Sequence, residues 1–149
     1  MLCYVDAQSI VLKKHPYATL GVDTYLTAST SIGDLDNDGD IDIIVANGRH
    51  WSQFNQVFYN DGKGFYRRSS LLGAEANTSY MALAADIDND GDLDILVAND
   101  RIKNQVFIND GKGNFSFSNY FGRQESITRG ISLADLNLDG YIDVIEANR

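Results

Sequence analysis

The chain reads Asp34-Leu35-Asp36-Asn37-Asp38-Gly39-Asp40-Ile41-Asp42 over one short stretch. It repeats this almost letter for letter as Asp86-Ile87-Asp88-Asn89-Asp90-Gly91-Asp92-Leu93-Asp94. A third, altered copy is Asp135-Leu136-Asn137-Leu138-Asp139-Gly140-Tyr141-Ile142-Asp143. Carboxylates at alternate positions repel one another unless a cation sits among them. A hard dication takes about six to eight oxygens at roughly 2.3–2.6 Å, and calcium accepts irregular cages of them. Glycine at position 6 permits the bend that folds positions 1, 3 and 5 around one point. The stretch therefore reads as a calcium loop, with up to three Ca²⁺ for the chain.

The third copy separates side-chain ligands from backbone ones. Position 7 is Asp40, Asp92 and then Tyr141. A tyrosine side chain is a poor calcium ligand, so this position is expected to offer its carbonyl, as position 7 of an EF-hand does. Side-chain oxygens then come from positions 1, 3, 5 and 9. These are Asp34, Asp36, Asp38 and Asp42, then Asp86, Asp88, Asp90 and Asp94, then Asp135, Asn137, Asp139 and Asp143. Asn137 is neutral, so the third cage is expected to be the weakest. The alternative is a solvated acidic turn, which three copies at one spacing disfavour.

An EF-hand fits only the third copy, where Glu146 stands at position 12. The other two copies have Val45 and Val97 there, inside β-rich apolar runs. Glu146 is therefore expected to be a strand residue that matches the EF-hand pattern by accident.

The repeat is longer than the loop. The first two loops start 52 residues apart and the second and third start 49 apart. A glycine precedes each loop by thirteen residues (Gly21, Gly73, Gly122), and a hydroxyl by seven (Thr27, Ser79, Thr128). Ala-Asn follows each loop, at Ala46-Asn47, Ala98-Asn99 and Ala147-Asn148. Asn60-Asp61-Gly62 and Asn109-Asp110-Gly111 lie between β-rich runs and predict hairpin turns. One repeat is thus four short strands, with the acidic loop between the first and second. In the second repeat these are Tyr80–Ala85, Leu93–Ala98, Gln105–Ile108 and Asn114–Asn119. Four strands per unit of about 40–50 residues predict a β-propeller blade. The expected fold is all-β: a propeller segment of about three blades of four antiparallel strands. Its parts are a half-blade over 1–20, full repeats over 21–72 and 73–121, and a truncated repeat over 122–149. Propellers close with about four to eight blades, so further blades are expected from a longer chain or a second copy.

These features resemble the FG-GAP/VCBS-type repeats of integrin α-subunit propellers and of bacterial surface proteins. The likeness covers about residues 17–149 and rests on the three loops, the trailing Ala-Asn, and the Asn-Asp-Gly-Lys-Gly turn. It implies a calcium-stabilised propeller outside the cytosol or at the cell surface. The implied roles are adhesion, recognition of a protein or carbohydrate ligand, or a module beside a catalytic domain.

Composition fits this class. The formal charge is −9, and the loops hold 13 of the 21 acidic residues. Three dications would offset six of those nine charges, and the acidity argues against nucleic acid as a partner. Cys3 is the one cysteine, so no intramolecular disulfide forms. No apolar run is long enough to insert in a membrane, and residues 1–25 lack a signal-peptide pattern. The chain is then either intracellular or a mature or internal piece of a longer one.

No catalytic motif stands out, and an enzyme is not expected. The only histidines, His15 and His50, lack metal-ligand partners at helical or hairpin spacing. Carboxylates gathered on a cation are ionised ligands rather than proton carriers. The irregular feature is the segment Asn47 to Asn55, three residues longer than Asn99 to Asn104. It holds Arg49, His50 and Trp51, residue types suited to ligand contact. Trp51 could equally tuck over the next blade. Successive loops of an up-and-down blade alternate between its two edges. The acidic loops and Asn-Asp-Gly turns should therefore share one edge. The insert Gly48–Phe54 and the connectors Ala74–Thr78 and Arg123–Ile127 should share the other. Two functional classes remain open: a binding module with structural calcium, or a propeller portion of a secreted enzyme or calcium-dependent lectin.

Overall fold

A computed structural model describes residues 20–21, 24–123 and 126–149. The half-blade expected over 1–20 lies outside the described residues, Leu20 apart. The first sheet is β1 (Thr27–Gly33), β2 (Asp42–Asn47), β3 (Gln53–Tyr59) and β4 (Arg68–Asn77). The second is β5 (Ser79–Ala85), β6 (Asp94–Asn99), β7 (Asn104–Asn109) and β8 (Phe115–Phe121). The third is β9 (Thr128–Ala134) and β10 (Asp143–Asn148). Strands follow sequence order in each sheet and every pairing is antiparallel. These are propeller-like blades, and no closed ring or helix occurs among the described residues.

β2 and β6 form because each is an apolar run dominated by β-branched residues, Ile43-Ile44-Val45 and Ile95-Leu96-Val97, with neighbours on both faces. Alternate residues face opposite ways, so each central strand serves two interfaces. Ile44 and Ala46 pack with Ile95, Val97, Phe107 and Leu35 in the core between the first and second sheets. Leu96 and Ala98 pack with Ile131, Leu133 and Val144 between the second and third.

The second residue of each acidic loop tracks these interfaces. Leu35 is 0% exposed, Ile87 is half-buried, and Leu136 is 60% exposed. The three positions are equivalent in sequence. What differs is how much sheet follows each one.

Two expected boundaries are corrected. The expected connector Ala74–Thr78 is mostly strand, because β4 runs to Asn77. The expected insert ends earlier, because β3 begins at Gln53. The cause is a register shift between Gln53 and Asn55, which lets Gln53 pair with Asn77 while Asn55 pairs with Leu72. Gly73 sits inside this strand at φ 79° and does not end it. A Cβ there would stand 3.0 Å from the Phe107 ring of the second sheet, so close sheet contact also favours glycine.

A chain of polar groups, buried except at its two ends, runs along the sheets at the edge away from the acidic loops. Thr27 Oγ1 donates to Asn47 Oδ1 (2.9 Å), and the Asn47 amide donates to Asn55 Oδ1 (2.9 Å). Asn55 Nδ2 donates across to Ser79 Oγ (2.9 Å), which donates to Asn99 Oδ1 (2.8 Å). The pattern then repeats. The Asn99 amide donates to Asn104 Oδ1 (2.8 Å), Asn104 Nδ2 to Thr128 Oγ1 (3.1 Å), and Thr128 Oγ1 to Asn148 Oδ1 (2.8 Å). This explains the recurring hydroxyl and the recurring Ala-Asn. Bulges between Thr27 and Ser29, and between Ser79 and Met81, set the hydroxyl opposite the asparagine in the same register each time.

Candidate metal centre

Each acidic loop is a tight turn whose own carboxylates hold its backbone. The Gly39 amide donates to Asp34 Oδ2, Gly91 to Asp86 Oδ2 and Gly140 to Asp135 Oδ2. These glycines have φ of 90°, 96° and 89°, and nothing would meet a Cβ at any of them. Their requirement is conformational. Position 4 is also left-handed, at 56° for Asn37, 62° for Asn89 and 62° for Leu138. Asparagine tolerates that region well and leucine does not.

The turn brings three carboxylates together in each of the first two loops. Oxygens of Asp34, Asp36 and Asp42 lie within 4.8 Å of one another, as do those of Asp86, Asp88 and Asp94. Asp42 and Asp94 are both 0% exposed. Asp42 Oδ2 accepts from the Leu35 amide and Oδ1 from the Asn60 amide. Asp94 repeats this with Ile87 and Asn109. Asp34 Oδ1 and Asp36 Oδ1 are buried and have no hydrogen-bond partner. Buried acceptors without donors are costly, by about 1–3 kcal/mol each and more when charged. An all-oxygen cluster with orphaned lone pairs fits a hard cation such as calcium.

Not every candidate ligand joins these clusters. Asp38 and Asp90 stand outside the two triads, and their Oδ1 atoms accept from the Asp40 and Asp92 amides. The side chains of Asp40 and Asp92 lie against the neighbouring turns, next to Gly62 and Gly111. Tyr141 is 62% exposed. The third loop keeps the same frame, with the Leu136 amide donating to Asp143 Oδ2. However, Asn137 Nδ2 donates to Asp139 Oδ2, and no carboxylate triad forms there. Glu146 lies in β10 and accepts from Asn104 Nδ2 and Asn148 Nδ2, so it belongs to the sheet and not to an EF-hand.

The loops also touch their neighbours, through residues the sequence reading did not single out. Asn37 Nδ2 donates to Asp92 Oδ1 and the Gly111 carbonyl, and Asn89 Nδ2 to the Gly140 carbonyl. Asn109 Nδ2 donates to the Leu35 carbonyl. The signal was available in the asparagines that recur at loop position 4 and at the head of the Asn-Asp-Gly turn.

Burial pushes the Asp42 and Asp94 carboxyls above their ordinary 3.8. Backbone hydrogen bonds offset part of that, and nearby aspartates add to it. In the metal-free protein the raised value favours the fold below pH 3.8, a contribution lost as pH rises through the folded value. A cation needs these groups ionised, so protons compete with it. Any rise in melting temperature that calcium produces through these carboxylates should therefore shrink as pH falls from about 7 toward about 4. An increment that stays constant over that range would count against these carboxylates as ligands.

At the opposite edge, Arg49 and Trp51 are exposed, Trp51 by 72%. Trp51 is thus not tucked over a neighbouring sheet. The His50 ring meets Tyr80 edge-on at 6.2 Å. A cleft of about 560 Å³ opens beside it, lined by His50, Glu75, Asn77, Asp100, Arg101 and Tyr120 among others.

Sheets of four antiparallel strands in series, each carrying an acidic loop at the same place, define a propeller-type repeat protein. The chain belongs to the FG-GAP-like repeat family, which matches at residues 34–97 and again at 86–145. No curated protein matches it.

Proposed function

We propose that this chain is a calcium-stabilised β-propeller module that recognises a protein or carbohydrate ligand outside the cell and carries out no catalysis itself. The observation that supports it best is the pair of carboxylate triads at one place in consecutive sheets, the first of them with two buried, unpartnered oxygens. Calcium there is structural: it neutralises the triads and fixes the β1–β2 and β5–β6 turns. The family match at residues 34–145 favours the same reading. The test is a thermal melt with calcium and with a chelator.

The ligand-binding edge is the one away from calcium, at Arg49, His50, Trp51 and the adjoining cleft. Arg101, at φ 63° on the rim, is a strained backbone position of the kind that gathers at binding sites. Trp51→Ala should move the calcium-dependent melt by less than about 2 °C, because the ring is mostly solvated. It should weaken binding to whichever members of a glycan and matrix-protein panel the wild type retains. A melt lowered by several degrees with binding intact would make Trp51 a packing residue.

The remaining partners are further blades, from a longer chain or a second copy. Leu136 at 60% and Ile145 at 49% exposure occupy places that are covered in the earlier sheets. Light scattering on this chain should report self-association at micromolar concentration, and a compact stable monomer would refute that.

A further inference from the structure

We propose that Arg68 is a built-in competitor for the cation of the first loop, making that loop a weaker calcium site than the second. The proposal rests on the calcium reading above. Arg68 Nη1 lies 2.6 Å from Asp36 Oδ2, and Asp36 is one of the three clustered carboxylates. The Asp36 side chain is only 10% exposed, and its other oxygen, Oδ1, is buried without a partner. The carboxylate is therefore divided. One oxygen is held by a guanidinium and the other remains for the cation.

The guanidinium is fixed in place from other sides. It lies 3.9 Å over the Tyr59 ring, and Nη2 reaches the Lys112 carbonyl (3.4 Å) in the turn of the second sheet. Arginine stays protonated at any working pH, so a dication entering the first loop meets a fixed positive charge across one shared carboxylate.

The second loop has no such charge. Tyr59 pairs with Arg68 across β3 and β4, whereas the equivalent Ile108 pairs with Ser116 across β7 and β8. Ser116 is neutral and Ile108 offers no ring to stack on. Among the described residues no cationic side chain pairs with Asp86, Asp88 or Asp94. The two loops read alike in sequence, yet a residue 32 positions after Asp36 separates them. Arg68 is 55% exposed, so solvent screens it, and the expected difference is on the order of tenfold in affinity.

The test is a calcium titration of the chain followed by ¹H–¹⁵N NMR. The amides of Gly39 and Gly91 each donate to the first aspartate of their own loop, so each cross-peak reports one site. In the wild type, Gly91 should reach its midpoint at about tenfold lower calcium than Gly39. Arg68→Gln should lower the Gly39 midpoint about tenfold and leave Gly91 in place. Arg68→Lys, which keeps the charge, should stay near the wild type. Coincident wild-type midpoints, or equal shifts of both glycines in Arg68→Gln, would overturn the proposal while calcium binding stands. If neither glycine moves at millimolar calcium, the calcium reading fails and this proposal fails with it.

Discussion

Calcium added to the metal-free protein is expected to raise its melting temperature by on the order of 10 °C. The estimate follows from mass action. Loops of this kind in extracellular modules bind with dissociation constants of about 10⁻⁴ to 10⁻³ M. At roughly ten to a hundred times that concentration, one site adds about 1.4–2.7 kcal/mol to the folded state. Two acidic triads are present, so their sum is about 3–5 kcal/mol, and each kcal/mol moves a domain of this size by roughly 2–4 °C. The folded state concentrates the charge that calcium relieves. Asp42 and Asp94 are wholly buried, and Asp34 Oδ1 and Asp36 Oδ1 have no donors. The unfolded chain has no such cluster, so little of the effect is lost to binding there. Magnesium at the same concentration should do much less, since it demands a smaller octahedral shell and gives up water reluctantly. Superimposable melts in calcium and in chelator would sink the metal assignment.

Replacing Asn104 by leucine should destabilise the protein by about 2–4 kcal/mol, with or without calcium. Asn104 is 1% exposed and serves three partners. Its Oδ1 accepts from the Asn99 amide, and its Nδ2 donates to Thr128 and Glu146. Leucine has similar bulk and none of these groups. The Asn99 amide would be left buried without an acceptor, which alone costs about 1–3 kcal/mol. The side-chain hydrogen bonds from Asn104 to Thr128 and Glu146 of the third sheet would be lost as well. Ser118→Ala, on the exposed outer strand, is the control and should stay within about 0.5 kcal/mol of the wild type. An Asn104→Leu protein melting within a degree of the wild type would show that the polar chain contributes little.

Much of this arrangement was legible from residues alone, for a physical reason. A loop that gathers carboxylates must place aspartates at fixed spacings around a glycine, so Asp34–Asp42 and Asp86–Asp94 announce themselves. The strands after them announce themselves too, because they are buried on both faces and their middles are runs of apolar residues. Which carboxylates gather into each triad was less legible. Asp38 and Asp90 look equivalent to Asp36 and Asp88, but the left-handed residue between them turns their carboxylates back onto the loop's own amides. The extent of β4 was also hidden, because Gly73 looks like a break and is a packing contact inside the strand. Arg68 could not be found by pattern, since it lies where the two repeats stop resembling each other and acts only through space. Trp51 was ambiguous because exposure of a lone aromatic on a loop depends on where the loop leans.

The graded exposure of Leu35, Ile87 and Leu136 has a consequence for how the molecule comes apart. When each sheet is stabilised by the one that follows, opening has a direction. β9 and β10 cover the second sheet while their own outer face stays largely exposed, so they should exchange amide hydrogens soonest. The second sheet would then lose its cover and become the next to open. The first sheet, whose Leu35 is fully enclosed, should be the last, so that protection declines along the chain like a zipper read from one end.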